Sequence, residues 1–199
     1  SSKEAGRGES HGGNSLSAEV PFVAYEIEIK AWLDDPDSVR RDLAAQSIGS
    51  QDYVKEDLYF RAPTGQEFRL RREKAGAVCT FKEKTIRAGV EVSREVEFSV
   101  SDPEAFEELV GRCGATVFAR KKKTGSVFEW AQARVEVSHV DRLGDFVEIE
   151  KILEEDNAER HAEAEQEVRR ILDRLGVAET AIEPRPYTAL LADLERGAT

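Results

Sequence analysis

Tyr25-Glu26-Ile27-Glu28-Ile29-Lys30 alternates charged and apolar residues without a break, and Phe146-Val147-Glu148-Ile149-Glu150-Lys151 does the same near the other end of the chain. In an extended strand successive side chains point to opposite faces, so Glu26, Glu28 and Lys30 share one face and Ile27 and Ile29 the other. The second run sets Glu148 and Glu150 against Val147 and Ile149. Two pairs of carboxylates fixed at strand spacing offer the oxygen donors that a hard divalent cation such as Mg²⁺ or Mn²⁺ takes.

Working inward from these two runs, the same period recurs. Arg69 and Arg71 share a face against Phe68 and Leu70, and Thr80, Lys82 and Lys84 oppose Cys79 and Phe81. Glu91, Ser93, Glu95 and Glu97 oppose Val92, Val96 and Phe98, while Arg134, Glu136 and Ser138 oppose Val135 and Val137. The segment 116–123 leaves its facing open, because Lys121, Lys122 and Lys123 offer a cation to either side. Acidic, basic and again acidic faces in succession point to a metal-dependent site for a polyanion.

Reading outward, strands are expected over 22–32, 55–61, 66–73, 77–84, 90–100, 116–123, 127–139 and 145–153. The segments 116–123 and 127–139 read as a hairpin around Thr124-Gly125. Asp35-Pro36 and Asp102-Pro103 read as helix starts, and further helices are expected over 157–175 and from Tyr187 to Arg196. The class that follows is α+β, an eight-stranded antiparallel sheet closed into a barrel with helices packed outside. A closed sheet puts the charged faces in a lumen, where unpaired like charges cost several kcal/mol unless an ion or ligand compensates.

At 199 residues the chain fits one domain, expected over 21–197, preceded by a disordered tail over 1–20 that lacks the apolar segment of a signal peptide. A net charge of -11 repels nucleic acid and anionic membranes, so neither is expected as a partner, and an anionic ligand must be drawn by a local basic cavity. No apolar stretch approaches the roughly 20 residues that span a bilayer. Cys79 and Cys113 are the two cysteines and form no CxxC pair, which fits a reducing, cytoplasmic setting. A homodimer is compatible with all of this.

Taken in order, the segments resemble the CYTH superfamily, the triphosphate tunnel metalloenzymes, from about Phe22 to Leu191. The matching motifs are ExExK (Glu26, Glu28, Lys30), D-x-Y-F (Asp57, Tyr59, Phe60), Arg69-Leu70-Arg71, T-x-K (Thr80, Lys82) and Arg94-Glu95-Val96-Glu97. Lys121 and Lys123 follow, and the closing L-G-x-F-V-E-I-E runs from Leu143 to Glu150. This resemblance implies a tunnel that binds a small-molecule triphosphate: tripolyphosphate, ATP or another organic triphosphate. It implies Mg²⁺ or Mn²⁺ held by Glu26, Glu28, Glu148 and Glu150, with phosphates held by Arg69, Arg71, Lys82, Lys84, Lys121 and Lys123.

Lys30 is expected to orient the leaving phosphate or assist the nucleophile. Glu95 and Glu97 either activate water or hold the arginines in place. The chain departs from the family where an Asp normally stands six residues before the Gly of L-G: Ser138 is there, and Glu136 on the same face is the candidate substitute cation ligand. Hydrolysis of a triphosphate is the activity expected first. The alternatives are a class IV adenylate cyclase, whose branch the Arg185-Pro186-Tyr187-Thr188-Ala189-Leu190-Leu191 tail resembles most, and a non-catalytic triphosphate sensor.

Overall fold

The computed structural model describes residues 22–47, 49–155 and 157–197; the tail expected over 1–20 lies outside them. Eight antiparallel strands, β1 (Phe22–Trp32), β2 (Ser50–Arg61), β3 (Glu67–Glu73), β4 (Gly76–Arg87), β5 (Val90–Val100), β6 (Thr116–Trp130), β7 (Ala133–Val140) and β8 (Gly144–Leu153), close in the order β1-β5-β4-β3-β2-β6-β7-β8. The expected barrel is therefore the observed one. Closure gives each strand one face to the lumen and one to the helices.

The helices start where the sequence caps them. In α1 (Pro36–Gln46) the Asp35 carboxylate accepts from the Ser38 N–H at 3.0 Å, and in α2 (Pro103–Arg112) Asp102 accepts from the Ala105 N–H at 2.9 Å. Each satisfies a donor that the first turn leaves open. α1 and α3 (Ala158–Arg174) cover the outer faces of β1, β7 and β8, burying Val39, Leu43, Val168 and Leu172 against Ile27, Ile29, Val135, Val137 and Ile149. α2 lays Phe106 and Val110 on Leu58, Phe60 and Leu70 of β2 and β3. The apolar core thus lies outside the barrel, and the charged faces are left to the lumen.

α4 (Tyr187–Gly197) lies across one mouth of the barrel, where Tyr187 and Leu190 pack on Phe146 and Val140. The Tyr187 and Phe146 rings meet edge to face at 5.0 Å, and Trp32 lies 4.1 Å from Phe146. No helix among the described residues is long and apolar enough to cross a membrane.

One boundary is corrected. Thr124-Gly125 is not a turn but the middle of β6, which continues for 15 residues to Trp130. The chain reverses at Ala131-Gln132, both with positive φ (52° and 58°), as a two-residue hairpin loop of the mirror-image kind requires. Neither residue advertises that conformation, so the sequence signal was missing. Gly125 serves close packing instead: a Cβ there would lie 2.3 Å from the Val137 carbonyl oxygen on the neighbouring strand.

Candidate active site

The inward faces surround a cavity of about 240 Å³ whose lining divides into two walls. On the first, the pairing of β5, β1 and β8 sets Glu91, Glu28 and Glu150 in one row, each opposite the next. Glu26 and Glu95 extend the same faces. Carboxylates placed directly opposite one another repel, and Lys82 of β4 reaches in among them. Its Nζ lies 2.5 Å from Glu95, 2.9 Å from Glu91 and 3.3 Å from Glu26. Lys84 reaches Glu91 at 3.3 Å.

This one ammonium does not satisfy the whole wall. Burial, reinforced by the Glu150 charge, pushes Glu26 up to about 9, and burial with Glu148 pushes Glu28 up to about 7. Burial raises Glu150 as well. Glu91 and Glu95 are also buried, but there Lys82 overcomes desolvation and lowers them. Opposite Glu26, the Ser93 hydroxyl is buried and has no hydrogen-bond partner among the described residues. Crowded carboxylates with a spare hydroxyl are the oxygen-donor set that Mg²⁺ or Mn²⁺ uses, so the residues fit such an ion. No three of them converge as a ready-made ligand set among the described residues, and Lys82 stands between them.

The second wall is basic and internally braced. Asp57 of β2 stands between Arg71 of β3 and Lys121 of β6. Arg71 donates two hydrogen bonds to its carboxylate at 2.8 and 3.0 Å, and Lys121 pairs with it at 3.0 Å. Burial alone would raise Asp57, but these cations hold it well below the usual range. Lys55 and Lys123 face each other across β2 and β6, like charge to like. Glu136 of β7 resolves the conflict by taking Lys55 at 2.6 Å, Lys123 at 2.7 Å and Arg134 at 2.9 Å, with the Tyr53 hydroxyl donating at 2.8 Å. Lys123 also pairs with Glu148. Burial brings Lys55 and Lys121 down to about 8, although Glu136 and Asp57 oppose the shift.

At the closed mouth, Lys30 Nζ donates to the Arg185 carbonyl at 2.5 Å and lies 4.3 Å from the centre of the Tyr187 ring. At one edge of the basic wall Arg69 donates to Thr80 Oγ1 at 2.9 Å, and Thr80 donates to Glu97 at 2.5 Å.

All fourteen site residues expected from sequence line this cavity: Glu26, Glu28, Lys30, Arg69, Arg71, Lys82, Lys84, Glu95, Glu97, Lys121, Lys123, Glu136, Glu148 and Glu150. Their contacts differ from expectation in two respects. Lys82, expected on phosphate, sits among carboxylates. Glu136, expected on a cation, braces the basic wall. Glu97 pairs with Arg69 at the edge, as one of its two expected roles has it. Ser138 is fully buried on the inward face opposite Gly125 and Phe146, its hydroxyl without a partner among the described residues. Lys55, Tyr59, Glu91, Arg134 and Tyr187 also line the cavity. The inward parity of Glu91 and Arg134 was legible. The alternation Lys55-Glu56-Asp57-Leu58-Tyr59 would have shown the pair on β2, whereas Tyr187 arrives from a helix and carries no strand signal.

A family model described as the CYTH domain matches residues 24–187. A Methanocaldococcus jannaschii protein named "Putative adenylate cyclase MJ0240" is 24% identical over 174 residues, covering 83% of this chain and 97% of that protein. Among solved structures, the PH1012 protein of Pyrococcus horikoshii is 29% identical with a TM-score of 0.70, over 83% of this chain and 98% of that one. HpAC1 of Hippeastrum, described as revealing a dominant triphosphatase activity, is 16% identical with a TM-score of 0.59 over 81% and 90% of the two chains, a likeness of fold.

Proposed function

We propose, from the premise that this chain belongs to the CYTH domain family, that it is a divalent-cation-dependent hydrolase of inorganic tripolyphosphate or an organic triphosphate. The observation that carries this reading is the facing of two unlike walls across one cavity: an acidic wall short of cations and a basic wall with its side chains already fixed. Phosphoryl transfer asks a protein mainly for positioning and charge neutralisation, which such a pair of walls supplies.

Arg71 and Arg69 offer planar forks to phosphate oxygens, and Lys55, Lys121 and Lys123 offer point charges. Glu26, Glu28, Glu148 and Glu150 would hold Mg²⁺ or Mn²⁺, which neutralises charge on the transferred phosphoryl group when bound. Glu136 is left out of that set because three cations and a phenol already occupy it. Lys82 joins the phosphate binders once a bound cation takes over its carboxylates. Lys30, held at the closed end, would bind the leaving phosphate, and Glu95 beside Lys82 is the candidate to orient water. The unpaired cysteines Cys79 and Cys113 fit a reducing, cytoplasmic compartment.

A class IV adenylate cyclase would use the same walls, directing a ribose 3′-hydroxyl rather than water, and the name of the Methanocaldococcus relative keeps that reading second. Incubation with Mg²⁺ or Mn²⁺ and either tripolyphosphate or ATP, followed by separation of products, decides the matter. Inorganic phosphate is expected. Cyclic AMP with pyrophosphate would mean cyclase, and tight binding without turnover would mean a sensor.

A further inference from the structure

Resting on the reading of the lumen as a triphosphate site, we propose that Tyr187 is a positioning residue whose ring face holds the phosphate-binding ammonium groups in place. The centre of its ring lies 4.3 Å from Lys30 Nζ, 4.6 Å from Lys121 Nζ and 5.9 Å from Lys123 Nζ. All four residues are buried, and the ring is backed edge-on by Phe146 at 5.0 Å. Three ammonium groups brought to one place repel one another; Asp57 pairs with Lys121, and Glu136 and Glu148 pair with Lys123, but the ring is the one group that all three share.

Where carboxylates alone hold an ammonium in the lumen, they do so at a cost to function. Lys82, gripped by Glu26, Glu91 and Glu95, has its charge cancelled and its N–H donors taken. An aromatic face attracts an ammonium through its quadrupole while adding no net charge and accepting no conventional hydrogen bond. Lys30 shows the contrast most clearly. It is in no carboxylate ion pair among the described residues, and its partners are the neutral Arg185 carbonyl and the Tyr187 ring. Its charge and two of its three donors therefore remain for phosphate. Because Tyr187 opens α4 and Arg185 lies just ahead of it, docking of the helix on the mouth sets the position of both the ring and the carbonyl.

The test replaces Tyr187 with Phe, with phenylalanines carrying one, two and three ring fluorines, and with Leu. Each variant is titrated calorimetrically with imido-bridged, non-hydrolysable tripolyphosphate in Mg²⁺. Fluorination drains the ring face of negative potential while almost preserving its shape, so a packing role alone would not respond to it. Tyr187→Phe is expected to stay within about threefold of the parent, the fluorinated series to weaken stepwise to about tenfold, and Tyr187→Leu to weaken by about tenfold or more. A flat fluorinated series with a tightly binding parent overturns the role of the ring, whatever the melting temperatures do. A parent that does not bind the analogue overturns the triphosphate reading, and the proposal with it.

Discussion

The two walls of the lumen are built from the same residue types in opposite proportion, and they are finished to different degrees. On the basic wall, each buried anion sits inside a fork of cations: Asp57 between Arg71 and Lys121, Glu136 among Lys55, Lys123 and Arg134. On the acidic wall, Lys82 serves several carboxylates at once, and Glu26 and Glu28 are driven up to about 9 and about 7. The basic wall is a preformed receptor. The acidic wall is one whose charge balance completes only with a cation. Removing a carboxylate should therefore have opposite consequences on the two sides.

The largest expected effect is on turnover. Glu28→Gln removes a ligand from the acidic wall and should lower cation-dependent activity on the order of 100-fold or more, since the ion's placement governs the chemistry. It should leave the melting temperature unchanged or raised, because it relieves repulsion between neighbouring carboxylates. Phosphate release, Mn²⁺ calorimetry and a thermal melt on one preparation check both halves. Metal-independent turnover by this variant would remove the distinction between the walls.

Next in size is the loss of stability from the opposite wall. Glu136→Gln leaves Lys55, Lys123 and Arg134 around a neutral amide and should cost about 3–5 kcal/mol, the range for breaking a buried pair from one side. Denaturant unfolding at neutral pH measures it. A loss below about 1 kcal/mol, the range of exposed ion pairs, would show that solvent screens this wall far more than its burial implies.

The pH dependence sharpens the contrast without mutation. Glu26 and Glu28 bind protons more tightly folded than at their ordinary value of 4.5, so between that value and their folded ones the folded state holds more protons than the unfolded. Stability must then fall as pH rises. Lys55 and Lys121, depressed to about 8, act oppositely above that point, because there the unfolded chain holds more protons. The melting temperature of chelator-treated protein should thus decline from about pH 5 to about pH 8, and Mg²⁺ should flatten that decline. The depressed carboxylates, Glu91, Glu95 and Glu148, titrate below 4.5 and add no slope in this interval, so a flat or rising profile would mean that Glu26 and Glu28 are not raised in the folded protein.

Much of this was legible because a strand has period two. The facing of Glu26, Glu28, Arg69, Arg71, Glu148 and Glu150 follows from alternation alone, and the eight-strand barrel from counting such segments. What was not legible depends on partners far away in the chain. Whether Lys82 meets phosphate or carboxylate is decided by the neighbouring β5 and β1, and whether Glu136 serves a cation site or a brace is decided by β2 and β6. The end of β6 was misplaced because Gly125 is the familiar turn signal, while the residues that do turn, Ala131 and Gln132, carry none.

The smallest expected effect concerns Glu97. Held against Thr80 and Arg69 at the edge of the basic wall, it should act on arginine placement rather than on the reaction. Glu97→Gln keeps an acceptor for Thr80, so kcat should stay within about threefold and any loss should appear in KM. A fall in kcat of about 100-fold would return Glu97 to the reacting atoms.

The strand order also dictates how the chain must fold. β1 is made first, yet its partners are β5 and β8, so one of its edges stays open until the last strand has been synthesised. Such non-local closure is slow, in the millisecond-to-second class. During that wait β1 and β8 expose the unpaired backbone that invites association with other chains. The glutamates and lysines spaced along both strands make that association costly, so the residues read here as a cation site also act as gatekeepers against aggregation while the barrel is open.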